Sequence, residues 1–229
     1  MIIAIDGPAG SGKSTTARAV AERLGFRYLD TGAMYRAVTL AFVRAGVDAE
    51  SQEARRLLGS IRIDLEDEEG GLRVRLDGED VTDAIRRPEV SAAVSSVAAV
   101  PAVRESLVRQ QRRLAEDYAR RGSGVVLDGR DIGTHVFPDA PVKVFLVANE
   151  AVRAARRMRE LQGGGVEIGY EQVLEDLRRR DELDSARAHA PLRKADDAVE
   201  LDTTDLSIAQ QVEFVERLVR ERRSSESVL

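Results

Sequence analysis

Gly7-Pro8-Ala9-Gly10-Ser11-Gly12-Lys13-Ser14-Thr15 decides how the rest of the chain is read. Gly7, four intervening residues and then Gly12-Lys13-Ser14 fit the spacing of a phosphate-binding loop. The apolar run Met1 to Ile5 leads in, and an alanine-rich helical pattern, Thr15 to Leu24, leads out. That is the strand–loop–helix setting the motif requires. Glycines let the backbone curl so that successive N–H groups point inward as an anion nest. The following helix adds the positive end of its dipole. In that arrangement Lys13 reaches the outer phosphates and the Ser14 hydroxyl can ligate magnesium. The plainer alternative is a Gly-Ser turn before an ordinary helix. Four fixed positions and the flanking context argue against it, as does the scarcity of lysine, since the chain has three (Lys13, Lys143 and Lys194).

The 229 residues suffice for one α/β core plus a small insertion, and a hydrophobic content of 43% suits a soluble globular protein. No run approaches the ~20 apolar residues needed to cross a bilayer. Asp6 interrupts the apolar start too early for a secretory signal. With no cysteine there is neither a disulfide framework nor a thiolate metal site, so the cytoplasm is the expected compartment. The two histidines, His135 and His189, are too isolated for a metal site. A net charge of −5 argues against a surface that coats nucleic acid. Arginine nonetheless supplies nearly all the positive charge and gathers in two later stretches, which suggests a small anionic ligand.

In chain order, a helix over about 14–24 is followed by a short strand at Phe26 to Leu29. Asp30-Thr31-Gly32-Ala33-Met34-Tyr35-Arg36 then opens a second helix reaching about Ala45. Thr31 reads alone as an N-cap and Arg36 as a solvated helix residue. Together they put a hydroxyl, a guanidinium and a helix start just after the second strand, where an acceptor phosphate lies in a phosphate-loop fold. Gln52 to Ser60 looks helical. The period then changes to two at Arg62 to Leu65 and Leu72 to Leu76, with Asp77-Gly78 as a hairpin turn. This is a small antiparallel β insertion, roughly residues 61 to 83. Val90 to Ala119 is helical, broken in two by Pro101 with Ser95 and Arg104 on either side.

Gly124 to Asp128 is a continuous apolar strand ending in an acid, as buried parallel strands read. Gly129-Arg130-Asp131-Ile132-Gly133-Thr134 follows at its carboxyl end, where ligands of open α/β sheets bind. Asp128 there suits a magnesium-bound water, against the alternative of a turn with a local Asp–Arg pair. Val142 to Val147 is the next strand. Arg153, Arg156 and Arg157 follow at spacings that share one helix face. Gly163-Gly164-Gly165 then breaks the pattern, giving an arginine-bearing lid with a glycine hinge or, more plainly, a solvated basic helix. Glu171 to Leu183 is helical. Arg180, Asp184 and Arg187 fall at i, i+4 and i+7, so a continuing helix puts a carboxylate between two guanidiniums and fixes their forks for an anion. Ala198 to Leu201 is a last strand, Ser207 to Arg222 a closing helix, and Ser224 to Leu229 a frayed tail. About five strands alternate with helices, which implies a parallel α/β sheet covered on both faces.

Four stretches jointly resemble the bacterial-type cytidylate kinases within the nucleoside monophosphate kinases. They are Ile5 through Thr15, Asp30 through Arg36, Asp128 through Thr134 continuing into Val136-Phe137-Pro138-Asp139-Ala140-Pro141, and Arg180-Asp181 through Asp184 and Arg187. The resemblance covers the chain from Ile3 to about Gln211. It implies a P-loop kinase fold in a single domain: a core at 1–45, 100–150 and 171–229, a monophosphate-binding region with the β insertion at about 31–99, and a lid at about 151–170. The implied reaction is transfer from ATP to CMP or dCMP with Mg2+, by a monomer that binds neither nucleic acid nor membrane.

The implied roles follow the matching positions. Gly7, Pro8, Ala9, Gly10, Ser11, Gly12, Lys13, Ser14 and Thr15 hold the ATP phosphates, with Ser14 on the metal. Thr31, Arg36, Arg130, Arg180, Asp184 and Arg187 grip the CMP phosphate and sugar. Ser95, Arg104 and Asp131 read the cytosine edge. Arg153, Arg156 and Arg157 belong to the lid over ATP, and Asp128 organises magnesium. Lys13, Asp128, Arg130, Arg156 and Arg157 are the expected catalytic set. The glycines at 163 to 165 match no family pattern, and Thr31 stands where members often carry Ser. Rival readings are a kinase for UMP, AMP or shikimate, a non-catalytic nucleotide sensor, and a GTP switch, which needs an Asn-Lys-x-Asp stretch that does not occur here.

Overall fold

Ile2–Asp6 (β1), Arg27–Asp30 (β2), Val125–Gly129 (β6), Val142–Val147 (β7) and Val199–Asp202 (β8) form a five-stranded sheet in the order β2-β6-β1-β7-β8 in the computed structural model. The structure describes residues 1–68 and 71–226. β1 runs parallel to β6 with Ile3 opposite Val126, and parallel to β7 with Ile3 opposite Val142; β7 pairs in parallel with β8. A strand flanked on both sides and covered on both faces has no solvent side, so it is apolar up to its carboxyl end. Ile3, Ala4, Ile5, Val126 and Leu127 are fully buried. Parallel neighbours need crossovers, and helices supply them: Lys13–Leu24 (α1) packs on β6 and on the closing helix Ile208–Glu226 (α8). The last three residues of the expected frayed tail lie outside the described residues; α8 continues through Ser224 and Ser225.

The chain packs as two units, one made of Met1–Tyr28 with the chain from Ala115 onward, the other of Leu29–Leu114. The second unit holds helices Thr31–Ala45 (α2) and Gln52–Ser60 (α3). It also holds the antiparallel strands Ile63–Glu68 (β3), Gly71–Leu76 (β4) and Glu79–Asp80 (β5), helix Pro88–Val97 (α4) and the first part of Pro101–Arg120 (α5). The period-two pattern is realised as expected: Ile63 faces Leu76, Leu65 faces Val74, and Leu72, Val74 and Leu76 are buried. Asp77 at φ 51 and Gly78 at φ 87 both turn left-handed, the backbone that a tight two-residue hairpin requires. Residues 69 and 70 of the insertion lie outside the described residues. α2 packs on α4, β4 and the short 3-10 turn Ala84–Arg86.

Three local expectations need correction. Asp30, not Thr31, caps α2: its carboxylate accepts the Ala33 N–H at 2.8 Å, and Thr31 is the first helical residue, buried. An aspartate one position earlier competes for the same orphan donor and wins it. The helix before the break starts at Pro88, whose missing N–H costs nothing in a first turn. Tyr170–Ser185 (α7) ends before Arg187, so the i, i+7 alignment of Arg180 with Arg187 is not a helical one. Gly163 closes helix Glu150–Gly163 (α6), Gly164 caps it, and Gly165 has a positive φ of 78.

Candidate active site

The loop between β1 and α1 has the curl its glycines permit. Gly10 and Gly12 have φ of 74 and 94. A Cβ on Gly7 stands 2.2 Å from the Leu146 carbonyl oxygen, and one on Gly10 stands 2.9 Å from that of Arg153, so no larger residue fits either place without displacing backbone. Lys13 is buried and its Nζ donates to the Pro8 carbonyl at 2.7 Å, across the loop it belongs to. Ser14 Oγ donates to Asp128 Oδ2 at 2.7 Å, and the Tyr28 hydroxyl donates to Asp128 Oδ1 at 2.8 Å. Asp128 sits at the carboxyl end of β6, where the sequence places it, and both its oxygens are oriented.

The electrostatics of this unit converge on Lys13. Burial first, then the nearby Arg130 and further on Arg180, hold its ammonium down to about 7, against the attraction of Asp128 and Asp184. Asp184 on α7 is fully buried; Arg130 Nε donates to its Oδ2 at 2.8 Å, and Arg187 donates to its Oδ1. Burial alone raises a carboxyl, yet Arg130, Arg187 and Arg180 together hold this one below its ordinary value. The carboxylate expected between Arg180 and Arg187 thus lies among guanidiniums, with Arg130, which that spacing did not include, and Arg187 bonded to it. Arg187 reaches back from beyond the helix end.

The turn after β6 is a π-helical one, Ile132–Val136, preceded by the buried Asp131. Asp6, at the end of β1, accepts the N–H groups of Ile132 at 2.9 Å and Gly133 at 2.7 Å. Burial pushes the Asp6 carboxyl up to about 7 in spite of those two bonds. On α6, the arginine face turns onto the phosphate loop. Arg153 is buried and donates to the Ala9 carbonyl at 3.1 Å and to Asp181. Arg156 donates to the carbonyl of Thr203 at 2.6 Å, to its hydroxyl at 3.0 Å, and weakly to the Ser11 carbonyl at 3.5 Å. Arg157 is ion-paired at 2.9 Å with the exposed Glu160.

Within the second unit, Arg36 on α2 donates to Ser91 Oγ at 2.9 Å and to the Ile85 carbonyl at 3.3 Å. Arg104 on α5 is buried, with its guanidinium 5.7 Å over the Tyr35 ring and a bond to the Ala98 carbonyl at 3.3 Å. Ser95 is buried on α4.

Tyr28, Asp181 and Thr203 are absent from the expected site and are bonded to its members, and Asp6, also absent from it, holds the turn that follows Asp131. A signal existed for Asp6, an acid inside a buried apolar strand. None existed for Tyr28, which reads as an ordinary strand aromatic. The donor set suits magnesium held with a nucleotide: one hydroxyl, Ser14, oriented by one carboxylate, Asp128. No cluster of three or more His, Cys, Asp or Glu fit to hold a metal ion occurs among the described residues. Mg2+ keeps several waters and takes ligands from substrate phosphates, so it needs few from protein.

A family model described as Cytidylate kinase matches residues 3–221. A cytidylate kinase of Salinibacter ruber is 52% identical over 215 residues, spanning 94% of this chain and 95% of its own. One from Bacillus pumilus is 52% identical over 209 residues, 91% of each chain. One from Mycolicibacterium paratuberculosis is 50% identical over 224 residues, 97% of this chain and 96% of its own.

Proposed function

The chain belongs to the cytidylate kinase family, and from that premise we propose that it transfers the γ-phosphoryl group of ATP to CMP and dCMP, giving CDP or dCDP and ADP. One observation carries the reading at the site: a lysine buried in a curled glycine loop, its ammonium disfavoured first by burial and then by the neighbouring Arg130 and Arg180. Such a cluster is built for a multiply charged anion. Phosphoryl transfer asks for little covalent chemistry; it asks for alignment and for cations around the equatorial oxygens of the moving group.

The loop amides from Gly7 to Thr15 and Lys13 hold the ATP phosphates. On anion binding Lys13 exchanges its bond to Pro8 for a phosphate oxygen. Ser14, oriented by Asp128, is the one protein ligand for Mg2+, which when bound shields the charge between donor phosphates. Arg130, Arg180 and Arg187 receive the acceptor phosphate, and Asp184 both orders their forks and meets sugar hydroxyls. Thr31 and Arg36 are further ligands of the monophosphate in this reading, and Ser95, Arg104 and Asp131 are its readers of the cytosine. Arg153, Arg156 and Arg157 belong to a lid, about residues 151–170, that closes over ATP and excludes water. The enzyme acts as a monomer in the cytoplasm; no helix among the described residues is long and apolar enough to cross a membrane.

The test is product analysis with ATP, Mg2+ and a panel of nucleoside monophosphates. CDP and dCDP are the expected products. Faster transfer to UMP or AMP, or binding of ATP and CMP without product, overturns the assignment.

A further inference from the structure

Asp181 lies on α7 and has no ligand role above, yet its carboxylate touches the phosphate loop. Oδ1 accepts the Ala9 N–H at 3.2 Å, and Oδ2 accepts the Arg153 guanidinium. The same guanidinium donates to the Ala9 carbonyl at 3.1 Å. The Arg153 and Asp181 side chains are only 11% and 20% exposed, so solvent competes weakly for the pair. Beside them Ala9 packs with Ala154, Val173 and Leu177, which ties the loop to α6 and α7 through apolar contact as well.

Peptide planarity turns these bonds into an orientation. In a trans peptide the N–H and the preceding C=O point opposite ways. The Ala9 N–H shares its plane with the Pro8 carbonyl. With the N–H drawn to Asp181, that carbonyl faces the other side, where Lys13 Nζ meets it. The Ala9 carbonyl shares its plane with the Gly10 N–H. With the carbonyl drawn to Arg153, that N–H is turned away from Arg153. Gly10 also lies against the α6 backbone, close enough that a Cβ meets the Arg153 carbonyl oxygen at 2.9 Å.

We propose that Asp181, acting with Arg153, is a positioning residue for the phosphate loop: the pair grips two successive peptide planes, aiming the Gly10 N–H into the nest and fixing the Pro8 carbonyl where it holds Lys13 until an anion takes its place. The ligand it serves is the polyphosphate chain of a nucleoside triphosphate, not the base. This rests on the phosphotransferase reading of the loop. Arg153 then acts on ATP through the loop and not by touching the nucleotide.

The test measures binding of three probes by calorimetry: ATP, inorganic tripolyphosphate, which has no nucleoside, and CMP. Asp181→Ala is expected to weaken ATP and tripolyphosphate in parallel, by about tenfold, the loss of one charge-assisted bond. CMP affinity stays within about twofold. Arg153→Met does the same, and the double variant is no worse than the weaker single, because the two act as one unit. Should Asp181→Ala not reach a wild-type melting profile, Asp181→Asn keeps an oxygen for the Ala9 N–H and is expected to show a smaller, still parallel loss. Unchanged tripolyphosphate affinity overturns the proposal. So does a loss confined to ATP, which assigns the pair to the nucleoside, or an equal loss for CMP, which marks general loosening. The wild-type product panel judges the kinase reading separately, and tripolyphosphate binding judges the clamp whatever that panel gives.

Discussion

Asp184→Asn removes the charge that three guanidiniums share while nearly preserving shape. In the native protein the carboxylate is 2% exposed at its side chain, and its bonded partners Arg130 and Arg187 are 16% and 6% exposed. Breaking a pair this buried strands cations that water cannot fully rescue, at a cost of about 3 kcal/mol. For a chain of this length that is a fall in Tm of roughly 6–12 °C. The pH dependence follows from the direction of the shift. The folded carboxyl lies below its ordinary value of 3.8, so the unfolded chain binds the proton more readily. Its stabilisation is complete above the ordinary range and is lost as pH falls through the folded value. The variant should therefore show a shallower acid limb below about pH 4. Inorganic phosphate should recover part of the deficit, since an added anion replaces the missing one; binding at a hundred times Kd supplies ~2.7 kcal/mol. Differential scanning fluorimetry across pH, with and without phosphate, measures all three effects. A variant that melts within about 2 °C of wild type, with the same phosphate response, refutes the reasoning.

Lys13→Ala should leave less than about a tenth of wild-type turnover in a coupled ADP-release assay, because its charge is required where the transferring phosphoryl group bears its own. Tyr28→Phe deletes one buried hydroxyl that orients Asp128. It should raise the magnesium concentration for half-maximal rate several-fold, about the worth of one hydrogen bond, with the CMP KM unchanged. Gly124→Ala is the contrasting case. Its Cβ meets three Phe26 ring atoms at 2.4–2.5 Å, so chemical denaturation should show a loss of about 1–3 kcal/mol, while KM for both substrates stays put.

What was legible in the sequence was local. The phosphate loop, the Asp77-Gly78 hairpin and the break at Pro101 each depend on a few adjacent residues whose backbone preferences decide the outcome. The acid ending β6 was legible because a buried parallel strand leaves a polar group only at its tip. Contacts across the chain were not. Tyr28 meets Asp128 over a separation of 100 positions, and Ala9 meets Asp181 over 172; no period or spacing records such a meeting. The cap of α2 is ambiguous in the sequence because Asp30 and Thr31 both suit the role, and one carboxylate bond to Ala33 settles that Asp30 takes it. A shared helix face for Arg187 requires the helix to continue; it stops at Ser185, yet Arg187 still meets Asp184, because a long side chain makes up what the backbone geometry withholds.

The register of β1 has a consequence for synthesis. Ile2 finds its partner at Val125, and Ile3 finds its second at Val142. At translation rates of about 5–20 residues per second, the edges of β1 wait on the order of 6–25 s before a strand to pair with exists. The stretch from Leu29 to Leu114, contiguous in the chain, emerges whole during that interval. The middle of the molecule thus has all of its own partners in hand while β1 still lacks both of its strand neighbours.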